Sequence, residues 1–245
     1  MDIISKNGLK YLSFNENAHV LAGVSTRIGG YSTGEYSELN VGINTKDDKE
    51  SIKRNREHLF NTIAPNMQVC HLNQTHSALI QDVDNHEYEV FCNGDGLITT
   101  ERNKLLCITI ADCGSVLFHD DEFTVACAIH CGWRGTRDGI VGEALRLLAQ
   151  WTDLSNIHAY IGPMIRQPSY EVGKEFTTMF NSAFFSEKGG KLTFDLNAFI
   201  INTLSRAGIT SISDCGYDTF QSSELFFSHR RYASTGRMCA FIGLK

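Results

Sequence analysis

Short strand-like runs dominate this chain and constrain its fold more than any other feature. The runs are His19–Ser25, Met67–Asn73, Leu105–Ala111, Ser115–His119, Thr124–Ile129, Ile157–Ile161, Ser211–Ile212 and Met238–Ile242. They are rich in β-branched and aromatic residues, which is typical of half-buried or buried strands. Strands therefore outnumber helices, and their order along the chain does not follow a strict strand–helix alternation.

Helical periodicity occurs in fewer places. The predicted helices are Gly139–Trp151, Leu196–Ala207 and, on weaker patterns, Ser51–Ile63 and Lys174–Phe184. Asp138 and Asp195 are predicted N-caps, and Gly208 is predicted to end the second helix. The pattern indicates an α+β fold, with mixed β-sheets flanked by a few helices. With only three prolines and no linker-like tract, residues 1–245 are expected to form a single domain.

Several classes of protein are disfavoured by composition. The net charge is −6 and there is no run of Lys and Arg, so nucleic acid is not an expected partner. The first residues lack the apolar segment of a signal peptide, and no window approaches 18 consecutive apolar residues. We therefore expect a cytoplasmic protein without a membrane segment. The eight cysteines, none in a C-x-x-C pair, are expected to be reduced and mostly buried.

Reactive polar residues follow three of the apolar runs. Asn73-Gln74-Thr75-His76-Ser77 follows the first, Ala111-Asp112-Cys113-Gly114 the second, and His130-Cys131-Gly132-Trp133-Arg134-Gly135-Thr136 the third. Strand ends are rigid places from which side chains can face a cleft. The third segment leads into a predicted helix through two glycines, and Arg134 and Arg137 add positive charge. That combination favours an anionic group such as phosphate.

His76, Cys113 and His130 offer the imidazole and thiolate donors that Zn²⁺ accepts. Three protein ligands would leave a fourth position open, as in catalytic zinc sites. The donors are far apart in sequence, so only the fold could bring them together. The alternatives at this point are a hydrogen-bonded structural histidine, a core cysteine, and surface ion pairs for the two arginines.

Ordered motifs over nearly the whole chain resemble those of a known family. They are Ser25-Thr26-Arg27-Ile28-Gly29-Gly30, Leu39-Asn40-Val41-Gly42, Asn55-Arg56, Gln74-Thr75-His76, Asp95-Gly96-Leu97-Ile98-Thr99, Ala111-Asp112-Cys113, His130-Cys131-Gly132-Trp133-Arg134-Gly135, Ile161-Gly162-Pro163, Tyr170-Glu171-Val172, Phe227-Ser228-His229-Arg230-Arg231 and Thr235-Gly236-Arg237. The sequence is similar to the laccase-domain, or multicopper polyphenol oxidoreductase, family, whose members are regarded as purine nucleoside phosphorylases with adenosine deaminase activity.

The resemblance implies that His76, Cys113 and His130 bind zinc at the active site. It also implies a layered α/β fold that is distantly similar to toxin-type cysteine hydrolases. The expected substrates are a purine nucleoside (adenosine, inosine or methylthioadenosine) and phosphate. From charge and glycine context, the candidate phosphate-binding residues are Arg27, Arg134 and Arg230. Glu171 and Asp112 are candidate acids or bases.

The sequence departs from the family pattern at Ser77, Gly114-Ser115, Cys131, His229 and Tyr232, and Cys131 is a possible competing ligand. Three other functions stay open. A copper-dependent polyphenol oxidase is disfavoured because the nine histidines include no H-x-H pair, although copper could replace zinc at a His/Cys site. A metal-free cysteine hydrolase would use Cys113 as nucleophile. A binding module would use none of these reactive residues chemically.

Overall fold

Two mixed β-sheets form the centre of the fold in the computed structural model, which describes residues 1–84 and 90–245, with the backbone alone for residues 90–92. A seven-stranded sheet contains, in spatial order, β1 (Asp2–Lys6), β2 (Leu9–Glu16), β3 (Val20–Ser25), β15 (Met238–Leu244), β8 (Lys104–Ile110), β4 (Gln68–Asn73) and β6 (Val90–Asn93). A six-stranded sheet contains β14 (Ser211–Asp214), β11 (Ile157–Ile161), β9 (Gly114–Asp120), β10 (Ala126–Cys131), β7 (Gly96–Thr99) and β5 (Ile80–Asp82).

The remaining elements of the described residues are a hairpin, four α-helices and short 3-10 turns. The hairpin is β12 (Phe185–Lys188) with β13 (Lys191–Phe194), and the helices are α1 (Lys49–Ile63), α2 (Trp133–Arg137), α3 (Ile140–Leu148) and α4 (Leu196–Arg206). Both large sheets combine parallel and antiparallel pairs: β4 runs parallel to β8, whereas β9 and β10 are antiparallel. This arrangement confirms the predicted α+β fold with mixed sheets and few helices.

The two sheets pack face to face, and the alternation along each strand shows how. In β8, Leu106 and Ile108 belong to the apolar cluster between the sheets, whereas Leu105 and Cys107 pack in the cluster that includes α1. In β9, Leu117 faces the same inter-sheet core, and Phe118 packs in the cluster that includes α3 and α4. The order of layers is therefore helix, sheet, sheet, helices. Among the described residues, no helix is both long and apolar enough to cross a membrane.

Two of the predicted helix features are wrong. Asp138 does not cap α3: it ends the short helix α2, and Gly139 in the left-handed region (φ 97°) precedes α3. The segment Lys174–Phe184 is not one helix but two short 3-10 turns, Lys174–Thr178 and Ser182–Phe184. The other cap is confirmed, since the Asp195 carboxylate accepts a hydrogen bond from the backbone N–H of Ala198 at 2.8 Å.

A buried asparagine joins helix α1 to the loop that precedes it. The Asn55 amide donates to Ser32 Oγ (2.8 Å) and to the Asn40 carbonyl (2.8 Å), and it accepts from the N–H of Tyr31 (2.7 Å). Asn55 is fully buried, so no water can replace these partners. The loop is thereby fixed in place, and its residues 42–45 form one wall of the cleft described below.

Replacing Asn55 with Ala should destabilise the protein by about 2–3 kcal/mol, because it leaves buried backbone groups without partners. Urea denaturation would measure the change. Asn61→Ala, at an exposed position of the same helix, is the matched control and should change the free energy of unfolding by less than about 0.5 kcal/mol. Equal, small effects of both substitutions would show that Asn55 does not hold the loop.

Candidate metal centre

The three predicted donors lie in or just after three different strands and meet at one edge of the two sheets. Cys113 lies in the turn between β8 and β9, which connects one sheet to the other. His130 lies in β10, where it pairs in register with Ser115 of β9. His76 lies in the loop after β4. The pairing of β9 with β10 and the connection between the two sheets therefore bring together donors that are far apart in sequence.

His76, Cys113 and His130 form a compact group of potential ligands. One ligand atom from each residue lies within 4.8 Å of those of the other two. The two imidazole rings meet edge to face, with centroids 5.0 Å apart. The bond lengths of a tetrahedral zinc site, about 2.0–2.3 Å, place its ligand atoms roughly 3.5 Å apart. A small inward movement of the side chains would therefore close the group around one ion.

The carboxylate of Asp95 is hydrogen-bonded to the segments that carry His76 and His130. One carboxylate oxygen accepts from the N–H groups of Thr75 (3.1 Å) and Ser77 (2.6 Å), on either side of His76. The other oxygen lies 2.8 Å from Nδ1 of His130. Asp95 is fully buried, so its partners are these protein groups. In the neutral imidazole Nδ1 donates to the carboxylate and Nε2 carries the lone pair that a metal needs, so binding of a metal would displace the second ring proton.

The charges of the group favour a thiolate. Burial by itself raises the pKa of Cys113, but His130 and His76 outweigh that effect and lower it to about 6. For His130, burial lowers the pKa, and the attraction of Cys113 together with the hydrogen bond to Asp95 raises it to about 9. Burial also raises the pKa of Asp95, yet hydrogen bonds from His130 and Ser77 hold it well below its usual range. Cys113 and Asp95 are thus anionic near neutral pH, as a cation site requires.

The backbone at the group is held in an unusual conformation. Two residues that are not glycine, His76 (φ 60°) and Asp112 (φ 83°), occupy the left-handed region, which costs free energy in an L-residue. Asp112 is held there by hydrogen bonds from Thr219 Oγ1 and from the N–H of Arg230 to its carboxylate, both 2.6 Å long. The two positions are the donor His76 itself and the residue directly before the donor Cys113.

Position 132 requires glycine because neighbouring side chains lie where a Cβ atom would be, and not because of the backbone angles of this residue. A Cβ atom at this position would lie 2.8 Å from Cδ2 of His76 and 3.3 Å from Sγ of Cys113. The neighbouring Gly135 has the same role for the loop, since its Cβ would lie 2.5 Å from the carbonyl oxygen of Ser77. These glycines let helix α2 pack directly against the donors.

A cleft of 490 Å³ opens in front of the donors, within the range of about 300–1,000 Å³ typical of small-molecule sites. Apart from the donors and Asp112, its polar side chains are cationic or neutral: Asn44, Thr45, Arg56, His71, Gln74, Thr109, Arg134, Tyr170, His229, Arg230 and Arg237. Burial and the nearby charge of Arg56 lower the pKa of His71 to about 4, so its imidazole is neutral. An anionic ligand is therefore the electrostatic match for this cleft.

Two of the three predicted phosphate-binding arginines line the cleft, and the third does not. Arg134 stacks on Trp133 and Arg230 on Tyr170, and both guanidinium groups border the cavity. Arg27 instead donates to the carbonyls of Ser37 and Ser223. Its guanidinium is occupied by the backbone of neighbouring loops and has a structural role. In addition, the helix that follows the Gly-containing turn, α2, has only five residues.

Arg237 is a cleft residue that the sequence analysis did not single out. Its guanidinium donates to the carbonyls of Thr235 and Gly236, and within the described part of the chain it has no carboxylate within 4.0 Å. Burial lowers its pKa, and the negative charges of Cys113 and Asp112 counteract that effect. The sequence marks Arg237 only as part of the Thr235-Gly236-Arg237 motif, which gave no reason to assign it to a cleft. Asp95 likewise lies in a quoted motif, Asp95-Gly96-Leu97-Ile98-Thr99, without an assigned role.

Neither candidate acid or base is free to act. The Glu171 carboxylate pairs with Lys191 (2.9 Å) at the surface and does not line the cleft. Asp112 lines the cleft, but its carboxylate accepts the two short hydrogen bonds from Thr219 and Arg230 described above. Proton chemistry in this cleft therefore depends on other groups.

The cysteines other than Cys113 are mostly core residues, as predicted. Cys70, Cys107, Cys127, Cys131 and Cys239 are buried, Cys215 is partly exposed, and the side chain of Cys92 lies outside the described residues. Burial raises the pKa of Cys131 far above its usual range. Its side chain packs in the cluster with α3, on the other face of β10 from the inter-sheet core. Cys131 is therefore not part of the donor group.

Comparisons with known proteins agree on one family. Residues 21–245 match the family described as "multi-copper polyphenol oxidoreductase laccase". The chain is 32% identical over 231 residues to "Purine nucleoside phosphorylase YfiH" of Escherichia coli, covering 92% of this chain and 94% of that protein. It is 31% identical to "Purine nucleoside phosphorylase YlmD" of Bacillus subtilis, covering 94% and 90%. The crystal structure of YlmD from Geobacillus stearothermophilus superposes with a TM-score of 0.88 at 29% identity, covering all of both chains.

Replacing Asp95 with Asn should weaken Zn²⁺ binding by about 10- to 100-fold, the usual effect of losing a partner of a ligating histidine. An amide N–H facing Nδ1 of His130 would force the ring proton onto Nε2, which then cannot ligate. Titration calorimetry of metal-free protein would measure the affinity. Asp121→Asn, which alters an exposed partner of His158, is the control. Unchanged affinity in Asp95→Asn would mean that the carboxylate does not set the tautomer.

Proposed function

This chain belongs to the multi-copper polyphenol oxidoreductase laccase family, and we propose that it is a zinc-dependent purine nucleoside phosphorylase that also deaminates adenosine. The proposal treats residues 1–245 as one domain with one active site. One observation carries it: a three-donor group opens into a cleft lined by arginines, so a metal and an anionic reactant can meet there. The names of the curated relatives support the same reaction class.

In this proposal His76, Cys113 and His130 hold the zinc ion. The donor set fits, because a thiolate and two imidazoles are ligands that Zn²⁺ prefers, and all three donor residues line the cleft. When bound, zinc would supply a Lewis acid that polarises a substrate oxygen. Copper could replace zinc at these donors, since its affinity for such ligands is higher. Among the described residues there is one group of three such donors, fewer than a multicopper oxidase needs.

The arginines of the cleft would bind phosphate. Arg134, Arg230 and Arg237 offer planar N–H groups that match phosphate oxygens. Arg134 and Arg230 are each stacked on an aromatic ring, which restricts the guanidinium and reduces the entropy lost on binding. Phosphate held there would be oriented for attack on the anomeric carbon of the nucleoside.

The remaining walls of the cleft would hold the nucleoside and exclude water. Trp133 and Tyr170 provide aromatic surfaces, and Ile165 and Leu196 provide aliphatic ones. Exclusion of water matters because the sugar acquires oxocarbenium character as the base departs, and water would then compete with phosphate. The physiological substrate in this proposal is adenosine, inosine or methylthioadenosine.

The first test is elemental analysis of the wild type beside Cys113→Ala, followed by phosphorolysis assays. We expect about one zinc per chain in the wild type and loss of metal in the variant, because a site with two ligands binds weakly. The wild type should release hypoxanthine from inosine only when phosphate is present. Metal in neither protein would overturn the zinc assignment and favour Cys113 as a nucleophile with His130 as its base. Phosphate-independent release would overturn the phosphorylase.

The matched pair Arg134 and Arg137 tests the phosphate site. Both guanidinium groups lie over the ring of Trp133, but Arg134 lines the cleft, whereas Arg137 pairs with Asp138 at the surface. Arg134→Gln should raise the KM for phosphate by about 10-fold, because it removes a charge-assisted hydrogen bond. Arg137→Gln should leave the KM unchanged. Equal effects of the two substitutions would place phosphate elsewhere.

A further inference from the structure

We infer that Tyr170 is a catalytic residue that donates a hydrogen bond from its hydroxyl to N7 of the departing purine. The inference rests on the proposed phosphorolysis and assigns one role that the proposal leaves open. A purine leaves as an anion unless a donor stabilises it, and every such enzyme needs a group for that task. The question is which residue of this cleft can supply it.

The acidic residues cannot supply the hydrogen bond. Asp112 accepts hydrogen bonds from Thr219 and Arg230, and the Glu171 carboxylate is at the surface with Lys191. The Gln74 amide is likewise occupied: it donates to the carbonyl of Thr109 (2.9 Å) and accepts from the N–H of Thr109 (2.7 Å). His71 is held neutral against Arg56, with Nδ1 3.1 Å from a guanidinium nitrogen. Thr45 and Thr109 donate their hydroxyls to the carbonyl of Gly42 and to Gln74, so among the described lining residues Tyr170 has the hydroxyl that is still available.

The Tyr170 hydroxyl has no hydrogen-bond partner within residues 1–84 and 90–245, and Tyr170 lines the cleft. The hydroxyl oxygen is not fully buried, so a molecule in the cleft can reach it. Tyr170 lines the same cleft as the donors His76, Cys113 and His130. A ligand near the donors would therefore also lie near this hydroxyl.

The ring of Tyr170 is fixed by its neighbours. Phe176 and Phe194 lie at centroid distances of 6.3 and 6.1 Å, and the guanidinium of Arg230 lies 5.4 Å from the ring centroid. The backbone is held as well, since the N–H of Phe194 donates to the carbonyl of Tyr170 at 3.1 Å. A hydroxyl on a fixed ring is a preorganised donor, which needs no rearrangement when charge develops.

Protonation also suits the role. Burial raises the pKa of Tyr170 well above its usual range, so the phenol keeps its proton at every physiological pH. Tyr170 is then a donor rather than a base. Arg230 above the ring adds positive charge on the side where the purine would become negative.

The atoms and charges of the reaction balance without any further reactant. An oxygen of hydrogen phosphate forms a bond to the anomeric carbon as the bond from that carbon to N9 breaks. The electron pair of the broken bond goes to the purine, where the charge spreads to N7 and is stabilised by the Tyr170 hydroxyl. The proton of hydrogen phosphate ends on the purine. The products are the sugar 1-phosphate and the neutral base.

The substitution Tyr170→Phe removes the hydroxyl and keeps the ring. With inosine and phosphate, kcat/KM should fall by about 10- to 100-fold, as expected for a lost hydrogen bond to a developing charge. With 7-methylinosine, whose base already carries a positive charge and leaves as a neutral molecule, the variant should match or exceed the wild type. A role in folding alone would lower both activities equally, so the comparison of the two nucleosides isolates the hydroxyl.

Tyr217→Phe is the matched control, because Tyr217 is a half-buried tyrosine that packs on Phe226 outside the cleft. It should leave both activities unchanged, and all three proteins should bind equal amounts of zinc. Equal losses with the two nucleosides, or no loss with inosine, would overturn the role of Tyr170 while phosphorolysis by the wild type stands. A wild type that releases no purine from either nucleoside would overturn the proposed function and this inference together.

Discussion

One buried carboxylate determines the geometry of the candidate site. Asp95 accepts from the backbone on both sides of His76 and from Nδ1 of His130, so it connects a loop after β4 to a strand of the other sheet. A buried anion without such partners would be strongly destabilising. The hydrogen bonds that keep Asp95 charged are therefore the same ones that orient two of the three donors. The position of the loop after β4 and the orientation of His76 and His130 as donors therefore depend on the same hydrogen bonds to Asp95.

The layered fold explains why donors distant in sequence meet with so little loop between them. The connection from β8 to β9 carries the chain from one sheet to the other, and Cys113 lies at that crossing. Antiparallel pairing of β9 with β10 then places His130 beside it. This arrangement costs free energy in the left-handed backbone of His76 and Asp112, and it leaves no room for a side chain at Gly132. Such strain persists where surrounding contacts over-determine it.

Sequence patterns predicted eight strands, among them β8 and β11 nearly where they appear, because β-branched runs report burial directly. They did not predict seven others in the described residues: β1, β2, β5, β6, β7, β12 and β13. They failed where tertiary contacts decide. Asp138 has the composition of an N-cap, but a short helix ends there and Gly139 takes the cap position. Arg27 stands in a glycine-rich motif, yet its guanidinium is used by two backbone carbonyls. Charge and local context cannot show whether a side chain faces a cleft or a loop.

The distribution of charge in the cleft limits the chemistry it can support. Cys113 is the negatively charged member of the donor group, and Asp112, the carboxylate among the described lining residues, already accepts two short hydrogen bonds. Reactions that need a carboxylate base, such as abstraction of a proton from carbon, have no candidate residue here. Reactions in which an anion attacks and a weak anion departs are matched by arginines on one side and a phenolic donor on the other. Phosphorolysis of a nucleoside has that pattern of charge, and a donor that stays protonated is the component it needs at the leaving base.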